Sequence, residues 1–419
     1  NTEKIFIDII FTSFINMQIE DIFFNLRKQA LMIKRRLARK AKELFTQYPV
    51  ITITGPRQSG KTTLAKNTFP RLKYFNLEDI ETRTFAREDP KGFLKGCAGG
   101  AILDEIQNAP DLLSSIQVYV DSLNREGLFV LTGSRQLELM ESVSQSLAGR
   151  TALLKLLPFS IEELHEHGNI LESDEYLYHG FYPRIHDKKL NPSEALADYY
   201  TTYVERDLRQ LANIHNLHLF HTFVKHCAGR VGQLINLSSL ASDTGISHTT
   251  AQDWLTLLEA SYIIFRLQPY FANIGKRLIK SPKLYFYDVG LAAHLLGIES
   301  IQHVAHHPLK GNLYENMAIS EILKYRFNRN KTNNLFFFRD ARGREVDCLY
   351  TISHKIYPIE IKSSRTFNRD FLTSIEYFMD AIHESERGFL VYDGEGDIDI
   401  RNITLLSPRS IWEKLDALG

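Results

Sequence analysis

Two groups of residues in this sequence have the types and spacing to act on phosphates. The first is Gly55-Pro56-Arg57-Gln58-Ser59-Gly60-Lys61-Thr62, followed by Thr63, which fits the pattern G-x-x-x-x-G-K-[ST]. Its glycines let backbone N–H groups turn inward on an anion, and the helix start that follows adds partial positive charge. In such a loop Lys61 reaches the β- and γ-phosphates and the Thr62 hydroxyl is a ligand for Mg²⁺. Downstream, the run Ala101-Ile102-Leu103 ends in Asp104-Glu105. Asp104 would hold Mg²⁺ through water, and Glu105 would orient or deprotonate an attacking water. A third apolar run ends in Thr132-Gly133-Ser134, where the Ser134 hydroxyl either senses the γ-phosphate or simply turns the chain. Arg150 precedes a fourth run; it is either an arginine finger, to its own or a neighbouring subunit, or an ordinary salt-bridge partner.

The second group lies in "EVDCLYTISHKIYPIEIK", Glu345 to Lys362. Asp347, Glu360 and Lys362 would sit on neighbouring strands, with Glu360 and Lys362 on one face and Ile359 and Ile361 on the other. Two carboxylates and a lysine in that arrangement can hold a divalent metal beside a phosphodiester. Alternatively the same charges pair with one another and leave no activity. "HVAHHP", with His303, His306 and His307, is expected to be a solvated loop rather than a metal cluster.

These residues need elements to position them. "VITIT" before the phosphate loop, "AILD", "LFVLT" and "TALLKLL" are short, apolar and rich in branched residues, as strands buried on both faces are. With helical connections they predict a parallel sheet whose ligand sits at the carboxyl edge. "NLSSLASDTGISHTTAQDWLTLLEASYIIFRL" predicts a helix-turn-helix with Gly245 in the turn, Ser247 as the N-cap and Ala251, Trp254, Leu255 and Leu258 as the buried stripe, followed by a wing strand. The outward residues of its second helix, His248, Thr249, Gln252, Asp253 and Thr256, include no Lys or Arg. Phosphate-anchoring cations must then come from elsewhere, with Lys276, Arg277 and Lys280 as candidates. "KGNLYENMAISEILKYRF" predicts an amphipathic helix with Leu313, Met317, Ile322 and Leu323 inward and Glu315 beside them.

A chain of 419 residues is too long for one ordinary domain. Lys plus Arg and Asp plus Glu number 50 each, so no overall basic field argues for nucleic acid. The three cysteines are far apart and lack C-x-x-C spacing, which fits a reducing cytoplasm and excludes a disulfide scaffold. The apolar run Ile5 to Ile15 contains Asp8 and is too short to span a bilayer, so no membrane partner is expected. Met32 is the favoured start, which leaves 1–31 as an extension; the basic run Lys34 to Lys42 is expected to be a solvated helix face.

"ITGPRQSGKTTLAK", "AILDEIQNAPDLLSSIQVYVD", "LTGSRQ", "SLAGR" and "YVERDLRQL" together resemble the AAA-related P-loop ATPases of bacteria and archaea that carry a winged helix and an uncharacterised C-terminal domain. In the last of these motifs Arg206 and Asp207 would pair with each other or reach the nucleotide. The resemblance implies ATP and Mg²⁺ as cofactors and an α/β fold: a P-loop NTPase parallel sheet, then a helical and winged-helix region, then a nuclease-like α/β domain. The expected boundaries are 32–160 for the ATPase core, 161–222 for a helical segment, 223–272 for the winged helix and 273–419 for the last domain. That last domain is similar to the PD-(D/E)XK nuclease core, with Asp347, Glu360 and Lys362 as its two acids and lysine and Glu315 as its helical acid. The implied partners are DNA or RNA, through the winged helix and the last domain. The rival expectation is a nucleotide-dependent switch that binds a protein partner or a second copy of itself through a silent nuclease fold.

Overall fold

A computed structural model describes residues 32–134, 143, 145–205, 214, 216–270 and 281–418. The extension 1–31, Arg206, Asp207, Lys276, Arg277 and Lys280 lie outside the described residues. Five strands, β1 (Val50–Thr54), β2 (Lys73–Asn76), β3 (Ala101–Asp104), β4 (Phe129–Thr132) and β5 (Thr151–Lys155), form the expected parallel sheet in the order β2-β3-β4-β1-β5. Alternation splits their side chains between two apolar layers. Val50, Leu103 and Leu131 face one layer with Ile116 and Val120 of the helix Leu112–Leu123. Ile51, Ile102 and Val130 face the other, with Ala41 and Leu44 of the helix Leu37–Phe45 and Leu64 of the helix Lys61–Thr68. Because β4 lies between β1 and β3, its carboxyl end stands beside both the phosphate loop and the acidic strand end.

The chain then turns helical. Ser160 and Glu163 form a reciprocal cap at the start of the helix Ile161–Glu166. Two helices further on, Leu237–Thr244 and His248–Ala260, meet through Gly245, whose left-handed backbone (φ 76°) suits glycine. Ser247 caps the second helix by accepting the Thr250 N–H at 3.0 Å. Trp254 in its buried stripe meets Phe220 and Phe223 edge-on, at 5.2 and 5.4 Å between ring centres.

A second sheet of eight strands follows the order β12-β13-β11-β10-β9-β8-β6-β7. These are β6 (Ile264–Pro269), β7 (Lys283–Phe286), β8 (Leu335–Arg339), β9 (Glu345–Ile352), β10 (Lys355–Lys362), β11 (Gly388–Tyr392), β12 (Ile398–Ile400) and β13 (Ile403–Leu406). The strand read from sequence as a wing, β6, pairs antiparallel with β7 and parallel with β8. It is therefore part of the C-terminal sheet, and that sheet crosses the boundary expected at 272. The helix Thr373–Ala381 packs on this sheet. Among the described residues no helix is long and apolar enough to cross a membrane.

The helix Lys310–Asn328 departs from its expected amphipathic form. From Leu313 to Asn328 every residue except Glu315 is buried, because the helix runs between the second sheet and the ATPase core. Three of its buried residues are charged, Glu321, Lys324 and Arg326. Glu321 accepts from the Ile161 N–H at 2.6 Å and from Lys324 Nζ at 2.7 Å, and Lys324 also donates to the Phe159 carbonyl at 2.8 Å. Lys324 further lies 3.6 Å from the centre of the Phe181 ring. "HVAHHP" also differs from expectation: Ile301–His306 is a short helix, capped by Ser300, with His303 and His306 exposed.

Removing one partner of a buried ion pair strands the other charge. Glu321→Ala is expected to cost about 3–5 kcal/mol of folding stability, measured by denaturant unfolding, and Glu321→Gln, which keeps an acceptor for Ile161, is expected to cost less. Wild-type stability in Glu321→Ala would show that the pair does not hold the two regions together.

Candidate functional site

The phosphate loop leaves β1 at Thr54. Gly55 (φ 146°) has no room for a side chain, since a Cβ there would stand 2.0 Å from the Leu156 carbonyl oxygen. Gly60 (φ 90°) turns the chain into the helix Lys61–Thr68. Lys61 Nζ donates to the Gly55 and Pro56 carbonyls at 3.0 and 2.8 Å, inside the curl of the loop. Burial pushes its ammonium down to about 8, against the pull of Glu105 and Asp104. Asp104, at the end of β3, accepts from Thr62 Oγ1 at 2.9 Å, from the Tyr74 hydroxyl at 2.8 Å and from Thr132. Burial and the bond to Asp104 raise the Tyr74 phenol well above its ordinary range. Glu105 follows in a left-handed conformation (φ 54°) and accepts from Ser134 Oγ at 3.2 Å and from Gln107. Non-glycine residues held in that region are sparse and cluster at functional sites.

Lys61, Thr62 and Glu105 line a cleft of about 330 Å³ with Arg57, Gln58, Gly60 and Thr63, and Pro183, Arg184, Asp187 and Lys188 of the helix Pro183–Lys188 complete its lining. That helix contributes Arg184 and Lys188, which the sequence reading missed. Their four-residue spacing puts two cations on one helix face, but nothing local links them to a loop some hundred residues earlier. Arg35 was missed too. Expected on a solvated face, it donates to the Ser59 carbonyl at 2.7 Å and pairs with Glu163 at 3.1 Å, so it braces the loop from behind.

Arg150 is placed differently from the finger reading. It stands at the amino end of β5, its carbonyl bonded to the Val50 N–H, while the phosphate loop leaves the carboxyl end of β1. A five-residue strand of roughly 16 Å separates it from its own subunit's loop. Instead Arg150 makes a two-point pair with Asp121, at 2.6 and 2.8 Å, the salt-bridge alternative.

The second constellation gathers at the β9–β10 edge. Asp347 Oδ2 accepts the Ile361 N–H at 2.8 Å, and Lys362 Nζ lies 2.6 Å from Glu360 and 3.6 Å from Asp347. Glu360 is 6% exposed, and its Oε2 is buried without a hydrogen-bond partner. Glu315 is engaged elsewhere: its Oε1 accepts from Lys283 Nζ at 2.9 Å and from the Tyr285 hydroxyl. Lys283 also pairs with Glu345, whose other oxygen meets Arg339 at 3.1 Å. Lys283 and Tyr285 went unnoticed in "SPKLYFYD"; the alternation that puts both on one face of β7 was the available signal. Burial, with the charge of Asp347, raises the Glu315 carboxyl to about 7 and the Glu360 carboxyl to about 8. Burial opposes charge on Lys362, but Asp347 and Glu360 more than offset it and hold the ammonium above its ordinary value. Among the described residues no group of three or more His, Cys, Asp and Glu side chains is arranged to hold a metal ion.

An AAA domain matches residues 47–165, and two domains of unknown function, DUF8612 and DUF4143, match 170–302 and 310–411. Uncharacterised proteins of Mycobacterium tuberculosis and Mycobacterium bovis are each 31% identical to the chain over 345 residues, covering 81% of it and 76% of their own length. The chain belongs to their family of AAA-domain P-loop ATPases. Among solved structures, the Walker-type ATPase of Pyrococcus abyssi is 15% identical, covers 62% of this chain and 94% of its own, and has a TM-score of 0.43. A signal-transduction ATPase of Pyrococcus horikoshii with a tetratricopeptide repeat sensor is 13% identical, covers 68% of this chain and 46% of its own, and has a TM-score of 0.20. In this AAA-domain ATPase the DUF8612 match, like the second sheet, runs across the boundary expected at 272.

The raised carboxyls make stability depend on pH. A carboxyl whose folded value lies above its unfolded value contributes stability that is full below the unfolded value and is lost as pH rises through the folded one. For Glu315 and Glu360 that loss runs from about 4.5 up to about 8. In metal-free buffer the protein is expected to be less stable at pH 9 than at pH 5.5 by denaturant unfolding, and Glu360→Gln to shrink that difference. An unchanged difference in Glu360→Gln would show that this carboxyl is not the group responsible.

Proposed function

We propose that this ATPase binds and hydrolyses ATP with Mg²⁺ and uses the nucleotide to control a nuclease-like centre that works on nucleic acid. The observation that carries the nucleotide half is the meeting of Lys61, Thr62, Asp104, Glu105 and Ser134 at the carboxyl edge of one parallel sheet. The donor set fits Mg²⁺: a hydroxyl and a carboxylate already share a hydrogen bond, both on oxygen. Bound there, Mg²⁺ would neutralise charge developing on the phosphates. The loop N–H groups and Lys61 hold the triphosphate, Glu105 takes or orients the proton of the attacking water, and Ser134 keeps that carboxylate aimed. Arg184 and Lys188 stand across the cleft to meet phosphate oxygens.

In the second centre the unpartnered Glu360 Oε2 beside Asp347 fits a divalent cation, whose chemistry would be to polarise a phosphodiester and acidify a bound water. Lys362 there orients that water or steadies the charge on the phosphate. The helix-turn-helix, with β6 as its wing, is the winged-helix part of this reading, 223–272 its span and 273–419 that of the nuclease-like domain. Three free, buried cysteines support a cytoplasmic setting.

A second reading, a nucleotide-driven switch that docks a protein partner or a second copy through a silent nuclease fold, is favoured by one observation. The exposed residues of the helix His248–Ala260 carry no cation to hold phosphates. In trans, Arg150 of a second copy remains available as a finger.

Lys61→Ala is expected to abolish ATP hydrolysis, whereas Glu105→Gln retains ATP binding and loses turnover by about two orders of magnitude or more. Persistent hydrolysis in both would remove the nucleotide reading. On single- and double-stranded substrates, Mg²⁺-dependent cleavage is expected in wild type and absent in Lys362→Ala. No cleavage in wild type, together with no salt-dependent nucleic-acid binding, selects the switch.

A further inference from the structure

We infer that Lys283 is a built-in cation that holds Glu315 and Glu345 out of the donor set, so that the second centre takes a single divalent ion between Asp347 and Glu360. The inference rests on the nuclease-like reading of that centre and specifies its metal content. Sequence pattern alone would count Glu315 as a third ligand, because it lies on a helix facing the two strand acids.

The geometry gives Glu315 another role. Its Oε1 is shared between Lys283 Nζ, at 2.9 Å, and the Tyr285 hydroxyl. Lys283 also grips Glu345, and only 3% of its side chain is exposed, so it has no route to solvent that would free either acid. The Phe337 ring, 5.7 Å from Lys283 Nζ, forms part of its surroundings. Glu345 is engaged on both oxygens, by Lys283 and by Arg339. Asp347 spends Oδ2 on the Ile361 N–H, and Glu360 has Oε2 with no partner at all. Glu315 keeps Oε2 outside these bonds, but its charge is already matched by Lys283, so the acids left to a cation are Asp347 and Glu360.

Charge points the same way. Four carboxylates, Glu315, Glu345, Asp347 and Glu360, meet three cations, Lys283, Lys362 and Arg339. With all ionised the group is short of neutrality by a single positive charge. One dication overshoots slightly, whereas a second would place a large uncompensated charge in a buried setting, where desolvation is costly. Lys283 thus stands where a second metal would otherwise be needed to neutralise acids.

The test is Mn²⁺ titration of the full chain by calorimetry, without nucleotide, after stripping with chelator. Any ion taken at Asp104 is common to all variants and subtracts out. Glu360→Gln is expected to weaken binding about tenfold or more, and Glu315→Gln by no more than about threefold. Lys283→Met, which removes the competing charge, is expected to bind Mn²⁺ about tenfold more tightly or to gain a second ion. If Glu315→Gln weakens binding as much as Glu360→Gln, Glu315 is a ligand and the inference is overturned; this arm decides even where Lys283→Met does not fold. A folded Lys283→Met with wild-type affinity and stoichiometry also overturns it. If neither Glu360→Gln nor Asp347→Asn alters Mn²⁺ binding, the nuclease-like reading itself falls.

Discussion

The joining of the two sheets rests on a buried ion pair, Glu321 with Lys324, on the helix Lys310–Asn328. Two opposite charges three residues apart on a helix ordinarily serve a solvated face. Here they lie inside the protein, and their remaining hydrogen-bonding capacity goes to the chain at Phe159 and Ile161, where the ATPase core ends. Each charge is matched by the other and by a backbone group, which is what makes burial tolerable. The same helix carries Glu315 toward the second sheet. One rigid element therefore joins the exit of the first sheet to the acids of the second.

The two centres solve the problem of concentrated charge in different ways. At the nucleotide cleft the protein gathers donors for an anion: loop N–H groups, Lys61, and the cations of the helix Pro183–Lys188. Lys61 is kept in reserve against its own loop carbonyls, and burial weakens its hold on the proton. At the β9–β10 edge the protein gathers anions and then balances most of them internally, with Lys283, Lys362 and Arg339. What stays unbalanced there is narrow in location: Asp347 and the free oxygen of Glu360.

The parallel sheet, the phosphate loop and the helix-turn-helix were legible because each is written in contiguous residues. Strand, glycine loop and lysine run from Val50 to Thr62, and Gly245 and Ser247 mark their own turn and cap. The residues that escaped notice act across long separations. Arg35 belongs to a basic run, yet it points under Ser59 rather than into water. Lys283 reads as the first residue of an apolar strand and becomes intelligible only once Glu315 and Glu345 are brought beside it. Arg150 was legible as a cation but not as one at the amino edge of the sheet, because the edge is set by strand direction. The helix Lys310–Asn328 has apolar residues on more than one face, a pattern that fits full enclosure as well as a single buried stripe.

Enclosure also brings the centres into continuous contact. Thr54, the last residue before the phosphate loop, meets the Tyr262 hydroxyl at 3.1 Å in the interior. Tyr262 packs against Tyr287 with 5.5 Å between ring centres, Tyr287 against Phe265 at 5.0 Å, and Phe265 against Tyr285 at 5.6 Å. The Tyr285 hydroxyl then donates to Glu315. Every member of this series but Glu315 is buried, and close-packed aromatic rings adapt by discrete rearrangement rather than by smooth compression. Tyr262 stands where the helix His248–Ala260 gives way to β6, with a left-handed backbone (φ 57°) that a non-glycine residue adopts only under constraint. The constraint is supplied on both sides, by Thr54 and by the rings of β6 and β7. Tyr262 thus ties the end of β1 to the start of β6, directly after the helix-turn-helix.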